Sequence, residues 1–134
     1  MQIVRVDCKN RTYTYEPLPE EFVTIGGRGI IASVLTAEVP ARCNPLGPDN
    51  KLIVCNGPLA GAGVSSAGRL SIGAKSPLTG GIKESNAGGT AGEALAGLGL
   101  RAVIFEGSSD EAEEVSILKL DPGKAEFIPA GEYA

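Results

Sequence analysis

The sequence predicts an α+β fold, with mixed or antiparallel β-sheets and two short helices. Three observations carry this prediction. The order of elements is mixed rather than a regular β-α alternation, which favours α+β over a doubly wound sheet. Apolar alternation recurs along the chain, whereas helical spacing appears at two places. The 19 glycines and 9 prolines supply the tight turns that short elements need. About a quarter of the 134 residues are Ile, Leu, Val or Phe, enough for a globular core.

Taken in order, residues 2–8 and 11–16 alternate around Lys9-Asn10, with Ile3, Val4 and Val6 facing Tyr13 and Tyr15, and read as a β-hairpin ended by Pro17 and Pro19. Residues 28–39 place Ile30, Ile31, Val34 and Leu35 on one helical face, and Pro40 stops the helix. Residues 41–50, with Pro45, Gly47 and Pro48, are a loop. Strands follow at 51–56 and 69–75, where Leu70, Ile72 and Ala74 alternate, and a further one is expected at 81–85. Thr90 begins the second helix, because Thr90-x-x-Glu93 has the form of a capping box and Gly97 and Gly99 provide its end. Strands are expected at 101–106, 114–120 and 125–128.

Missing residue types narrow the chemistry. The chain has no histidine, so it carries no Ser-His-Asp or Cys-His nucleophile and no H-E-x-x-H zinc site. Its three cysteines, Cys8, Cys43 and Cys55, have no metal-binding spacing. Cys55, inside Leu52-Ile53-Val54-Cys55, reads as a core thiol. Met1-Gln2-Ile3-Val4-Arg5 does not resemble a signal peptide, and no apolar run approaches the ~20 residues of a membrane span, so a cytoplasmic location and no membrane partner are expected. No nucleic-acid partner is expected either.

Charge and glycine are unevenly spread. The net charge of -4 divides into an acidic stretch, 106–134, and a slightly basic remainder. Between Asn50 and Lys83 stand Lys51, Arg69, Lys75 and Lys83 and no acid, a stretch favourable to anions. Thirteen of the 19 glycines fall between Gly57 and Gly107, which reads either as a series of tight turns or as backbone that approaches a phosphorylated ligand closely.

Three motifs bear on chemistry. Gly27-Arg28-Gly29-Ile30-Ile31-Ala32 fits the dinucleotide pattern through Gly27, Gly29 and Ala32, but Pro40 and Pro45 break the second strand such a fold needs, so this reading is remote. Ser85-Asn86-Ala87-Gly88-Gly89-Thr90 feeds the second helix, and its amides together with Asn86 suit phosphate oxygens or a metal ion. Glu93 is expected to serve as the cap partner. Ser65-Ser66-Ala67-Gly68-Arg69 heads a strand and offers a guanidinium to an anion.

Gly26-Gly27-Arg28-Gly29, Asn44-Pro45-Leu46-Gly47-Pro48-Asp49-Asn50-Lys51-Leu52-Ile53, Gly57-Pro58-Leu59, Gly68-Arg69, Lys75-Ser76-Pro77-Leu78-Thr79-Gly80 and Ser85-Asn86-Ala87-Gly88-Gly89, in this order, resemble the N-terminal domain of the aldehyde ferredoxin oxidoreductase family, the tungsten enzymes. The resemblance implies that residues 1–134 are the first portion of a larger protein, either a fragment or a small subunit. It implies a base of β-sheets carrying a tungstopterin or molybdopterin cofactor, a bis-pterin with magnesium. Arg69, Asn86 and Gly88 are then the cofactor-binding residues, with Asn86 also reaching the magnesium that bridges the two pterin phosphates. The family's [4Fe-4S] ligands lie in a C-x-x-C-x-x-x-C block that this chain lacks, so the cluster-bearing domains or subunit, and ferredoxin, are the implied partners. A lone chain is expected to be inactive and to cover its exposed sheet edges by self-association, as a homo-oligomer. The alternative is a non-catalytic binding or scaffold domain of the same fold.

Overall fold

A computed structural model of the chain describes residues 1–107 and 115–131. Along these the chain forms β1 (Gln2–Asp7), β2 (Thr12–Pro17), a 3-10 turn (Glu20–Phe22), α1 (Gly27–Glu38), β3 (Leu52–Asn56), β4 (Leu70–Lys75), β5 (Ile82–Ala87), α2 (Ala91–Gly97), β6 (Leu100–Glu106), β7 (Ser116–Asp121) and β8 (Lys124–Pro129). The mixed α+β class is as expected, and each element the sequence predicts has a counterpart. The first residue of the strand expected at 114–120 lies outside the described residues.

Six strands form one sheet in the order β2-β1-β6-β3-β4-β5, and β7 pairs with β8. Apart from β1 and β6, which run parallel, the neighbours are antiparallel. Alternation along each strand sends neighbouring residues to opposite faces and makes two cores. On one face Ile30, Ile31, Val34 and Leu35 of α1 pack on Ile3, Ile53, Cys55, Ala102 and Ile104. On the other, Leu95 of α2 and Leu118, Leu120 and Phe127 of the hairpin cover Val4, Val6, Leu100 and Val103.

Close backbone approach fixes where the helices sit. A Cβ on Gly27 would lie 2.7 Å from both Cβ and Oγ of Ser71, and one on Gly92 would lie 2.4 Å from the carbonyl oxygen of Gly68. Gly27 therefore lets the start of α1 rest directly on β4, and Gly92 lets α2 rest on the segment that leads to Arg69. The glycines of the Gly27-Arg28-Gly29 motif serve helix packing, and the segment before them forms a 3-10 turn rather than the strand a dinucleotide fold requires.

The capping box does not form. Thr90 makes no side-chain cap bond to α2, and Glu93 Oε2 instead accepts from the backbone N–H of Gly61 at 2.9 Å. Tertiary docking of the 57–69 loop takes the carboxylate that local reasoning assigns to the helix start. The third expected strand is also longer, since Ser85, Asn86 and Ala87 belong to β5 rather than to a glycine turn.

The two ends of the sheet differ in chemistry. Where β3 and α1 meet β1 and β6, Arg5 bonds to Glu16 at 3.0 Å and to Glu38 at 2.7 Å, while Lys51 pairs with Glu38 at 3.3 Å and with Glu106. Glu106 thus belongs to an ion-pair cluster, not to a free acidic tail. Asp110, Glu111, Glu113, Glu114 and Glu132 lie outside the described residues. At the opposite end stand the N-terminus of α1, the start of β4, the end of β5 and the first residues of β6.

Candidate cofactor-binding site

Register brings together residues far apart in sequence. Ala102 pairs with Cys55, Cys55 with Ser71, and Ser71 with Asn86, so one row crosses four strands. Asn86 Nδ2 donates to Ser71 Oγ at 2.9 Å, and Arg69 Nε donates to Asn86 Oδ1. The two residues expected at 17 positions' separation therefore stand side by side, on the face of the sheet that carries Ser71.

The network extends toward α1. Arg28, at the helix start, donates from Nε and Nη2 to Glu84 Oε2 at 3.2 and 3.0 Å. The Ser71 hydroxyl, then Arg28 and Asn86, hold the Glu84 carboxyl below the usual carboxylate range against the burial that opposes this. Asn86 is thus held from both sides: its NH2 group faces Ser71 and Glu84, which fixes the amide so that the carbonyl oxygen faces Arg69. That oxygen has a second lone pair, the hard donor that magnesium takes. Sequence reasoning missed Arg28, Ser71 and Glu84. The signal for Arg28 was present, a charged residue within a glycine-rich run, but its partner lies 56 residues away.

Gly88 and Gly89 follow Asn86 at the end of β5, both exposed, with no neighbouring atom within 4 Å of where a Cβ would stand. Gly89 has φ +119, which side-chain-bearing residues rarely adopt. The backbone here is open to close approach. An arginine, an amide oxygen and bare glycine backbone at one sheet end fit a phosphate-bearing, magnesium-linked group.

The other expected cations are engaged elsewhere. Lys51 belongs to the Glu38 and Glu106 cluster, and Lys75 Nζ donates to the carbonyls of Ala41 and Cys43 at 2.7 and 2.8 Å. The anion-favourable stretch read from composition is thus divided by the fold, and Arg69 alone of these three cations faces Asn86. Cys55 is buried, its thiol donating to the Gly27 carbonyl at 3.2 Å, and burial pushes its pKa up to about 12. It is a core thiol, as the sequence indicates. Among the described residues no group of three or more Cys, Asp or Glu side chains is placed to hold a metal ion. No described helix is long and apolar enough to cross a membrane.

The fold and this row of residues define a sheet-based domain that offers an arginine, an amide oxygen and glycine backbone at one end. A family model for the aldehyde ferredoxin oxidoreductase N-terminal domain matches residues 3–134, and the chain belongs to that family. It is 36% identical over 112 residues to the tungsten-containing aldehyde ferredoxin oxidoreductase of Thermococcus kodakarensis, covering 82% of this chain and 18% of that protein. The tungsten-containing aldehyde ferredoxin oxidoreductase of Pyrococcus horikoshii is 39% identical over 111 residues, covering 81% of this chain and 18% of that protein. A solved structure described as the active site complex BamBC of benzoyl coenzyme A reductase with 1,5-dienoyl-CoA superposes with TM-score 0.90 at 26% identity, over 98% of this chain and 20% of that one. The chain therefore spans about a fifth of the length of the proteins it matches.

Proposed function

We propose that this chain is the cofactor-holding N-terminal portion of a tungsten or molybdenum pterin oxidoreductase that converts an aldehyde and water to a carboxylic acid and passes two electrons to ferredoxin. The observation that carries this reading is the Arg69 and Asn86 pair beside Gly88. When bound, the metal and pterin supply the redox chemistry. The chain itself supplies position. Arg69 neutralises anionic charge on the cofactor, Gly88 leaves room for close approach, and Asn86 presents its oxygen to the magnesium that joins the pterin phosphates.

The tungsten content named for the relatives supports tungstopterin over its molybdenum counterpart. The [4Fe-4S] cluster and the ferredoxin contact belong to further domains or to a second subunit. The edge strand β5 and the exposed Leu52, Ile72 and Ile82 support packing against such polypeptide.

The test is cofactor retention in the complete enzyme carrying Arg69→Ala or Asn86→Ala. Each is expected to lower tungsten and pterin per chain after gel filtration, by the ~1.5 to 3 kcal/mol of a charge-assisted contact for Arg69. Unchanged metal and pterin in both variants would favour the scaffold alternative.

A further inference from the structure

Arg101 is a buried cation without a counter-ion. It is 4% exposed, its Nε has no hydrogen-bond partner, and its Nη1 makes one long contact, 3.5 Å to Asn56 Oδ1. Asn56 is itself fully buried and bonds through Nδ2 to the carbonyls of Gly92 and Leu100 at 3.3 and 3.1 Å. No carboxylate pairs with Arg101 among the described residues, and burial lowers its pKa. An isolated buried charge is among the costliest features a fold can hold, and it persists where something compensates it.

Its location narrows what that something is. Arg101 is the extra residue of a β-bulge, since Gln2 pairs with Leu100 and Ile3 with Ala102. Bulges re-aim a side chain at a strand end. Ala102, the next residue, begins the row that leads through Cys55 and Ser71 to Asn86. Arg101 therefore stands at the same end of the sheet as Arg69, with β3 between their strands, about 10 Å across the sheet. Nη2 makes no hydrogen bond, yet unlike Nε it is not fully enclosed, so the guanidinium keeps one opening toward solvent.

We infer that Arg101 is a second anion-binding residue of this end of the sheet and takes a phosphoryl oxygen of the ligand that Arg69 and Asn86 hold. The ligand's identity rests on the proposed function; the anion site itself rests on Arg101. Two guanidinium groups this far apart suit two phosphate groups or one extended diphosphate.

The probe is inorganic pyrophosphate, titrated into the 134-residue chain by calorimetry and thermal melting, for the native chain, Arg101→Met and Arg69→Ala. The native chain is expected to bind and to melt higher with the probe. Arg101→Met is expected to bind it roughly tenfold more weakly or worse, and to melt at or above the native temperature without it, because a buried uncompensated charge has been replaced by an apolar side chain of similar length. An Arg101→Met chain that binds as the native one does overturns the inference, and if Arg69→Ala then binds weakly the Arg69 assignment survives it. Weak binding by Arg101→Met beside native binding by Arg69→Ala supports the inference and removes Arg69. Failure of the native chain to bind at millimolar probe overturns the inference, while tungsten retention still tests the proposed function separately. An Arg101→Met chain that melts far lower or fails to fold shows that the fold already compensates the charge, and overturns it too. Acetate at the same concentration must raise the melting temperature less than pyrophosphate does; equal stabilisation would assign Arg101 to a protein carboxylate instead.

Discussion

Gly27 and Ser71 touch so closely that a single methyl group on the glycine would lie 2.7 Å from the serine Cβ and Oγ. This contact couples the seat of α1 to the serine that holds Asn86. Gly27→Ala is expected to cost about 1 to 3 kcal/mol through overpacking. It should also displace Ser71, so that the Asn86 side-chain NH2 signals shift in an NMR spectrum. Native stability with unshifted Asn86 signals would show that the coupling is absent.

The comparable contact at α2 concerns Arg69. Gly92→Ala would place a Cβ 2.4 Å from the Gly68 carbonyl oxygen, a backbone atom that cannot swing away as a side chain can. The helix must lift from the segment carrying Arg69. A loss of about 2 kcal/mol or more in urea unfolding is expected, with faster amide exchange across residues 57–69. Unaltered exchange there would mean that the loop is held without α2.

Two carboxylates make the stability dependent on acid. Arg5 above all holds Glu38 below its ordinary pKa, and Ser71 above all does so for Glu84. A carboxyl with a lowered folded-state pKa contributes stability above its unfolded value, near 4.3, and loses it as the pH falls through the folded value. The urea midpoint should therefore be level above about pH 5 and decline below about pH 4. Glu84→Gln should flatten part of that decline and cost under ~1 kcal/mol at neutral pH, since its partner Arg28 is exposed. An acid limb of unchanged depth in this variant would remove Glu84 from the account.

The three thiols should separate by reactivity. Cys55 is fully buried with a pKa near 12, whereas Cys8 is exposed, although burial of its sulfur and then Asp7 raise its pKa as well. Iodoacetamide at pH 8 is expected to label Cys8 in the native chain and to reach Cys55 after denaturation, because the thiolate is the reacting form. Equal native labelling rates at the two positions would contradict the packing of α1 on β3.

Lys75 should anchor the 41–50 loop. Its ammonium is 8% exposed and bonds to the Ala41 and Cys43 carbonyls, while Asn50 Nδ2 bonds to the carbonyls of Pro45 and Lys75 at 2.7 and 3.0 Å. Lys75→Met is expected to cost about 2 kcal/mol and to make the 41–50 amides exchange faster than those of the strands. Retained protection in that loop would place its anchor elsewhere.

Much of this architecture was legible because local signals agreed with tertiary need. The α1 stripe of Ile30, Ile31, Val34 and Leu35 is the buried face, and Pro40 follows its end. Arg69 and Asn86 were legible as residues with the right chemistry, and their contact follows from the β4 and β5 register. What sequence reasoning could not supply was pairing over long separations. Glu93 matches a capping box, yet its partner is the amide of Gly61, 32 residues away. Lys51 is drawn off by Glu106, 55 residues on, and Arg28 by Glu84. Each of these depends on a register that no local window contains.

The parallel pairing of β1 with β6 has a consequence for synthesis. The central strand of the sheet enters the chain first, and its neighbour ends at Glu106. At ~5 to 20 residues per second, a ribosome needs roughly 5 to 20 seconds to deliver that neighbour. Through this interval the N-terminal hairpin exists with one side of β1 unpaired and Ile3, Val4 and Val6 uncovered, a nascent segment suited to capture by a chaperone until β6 emerges.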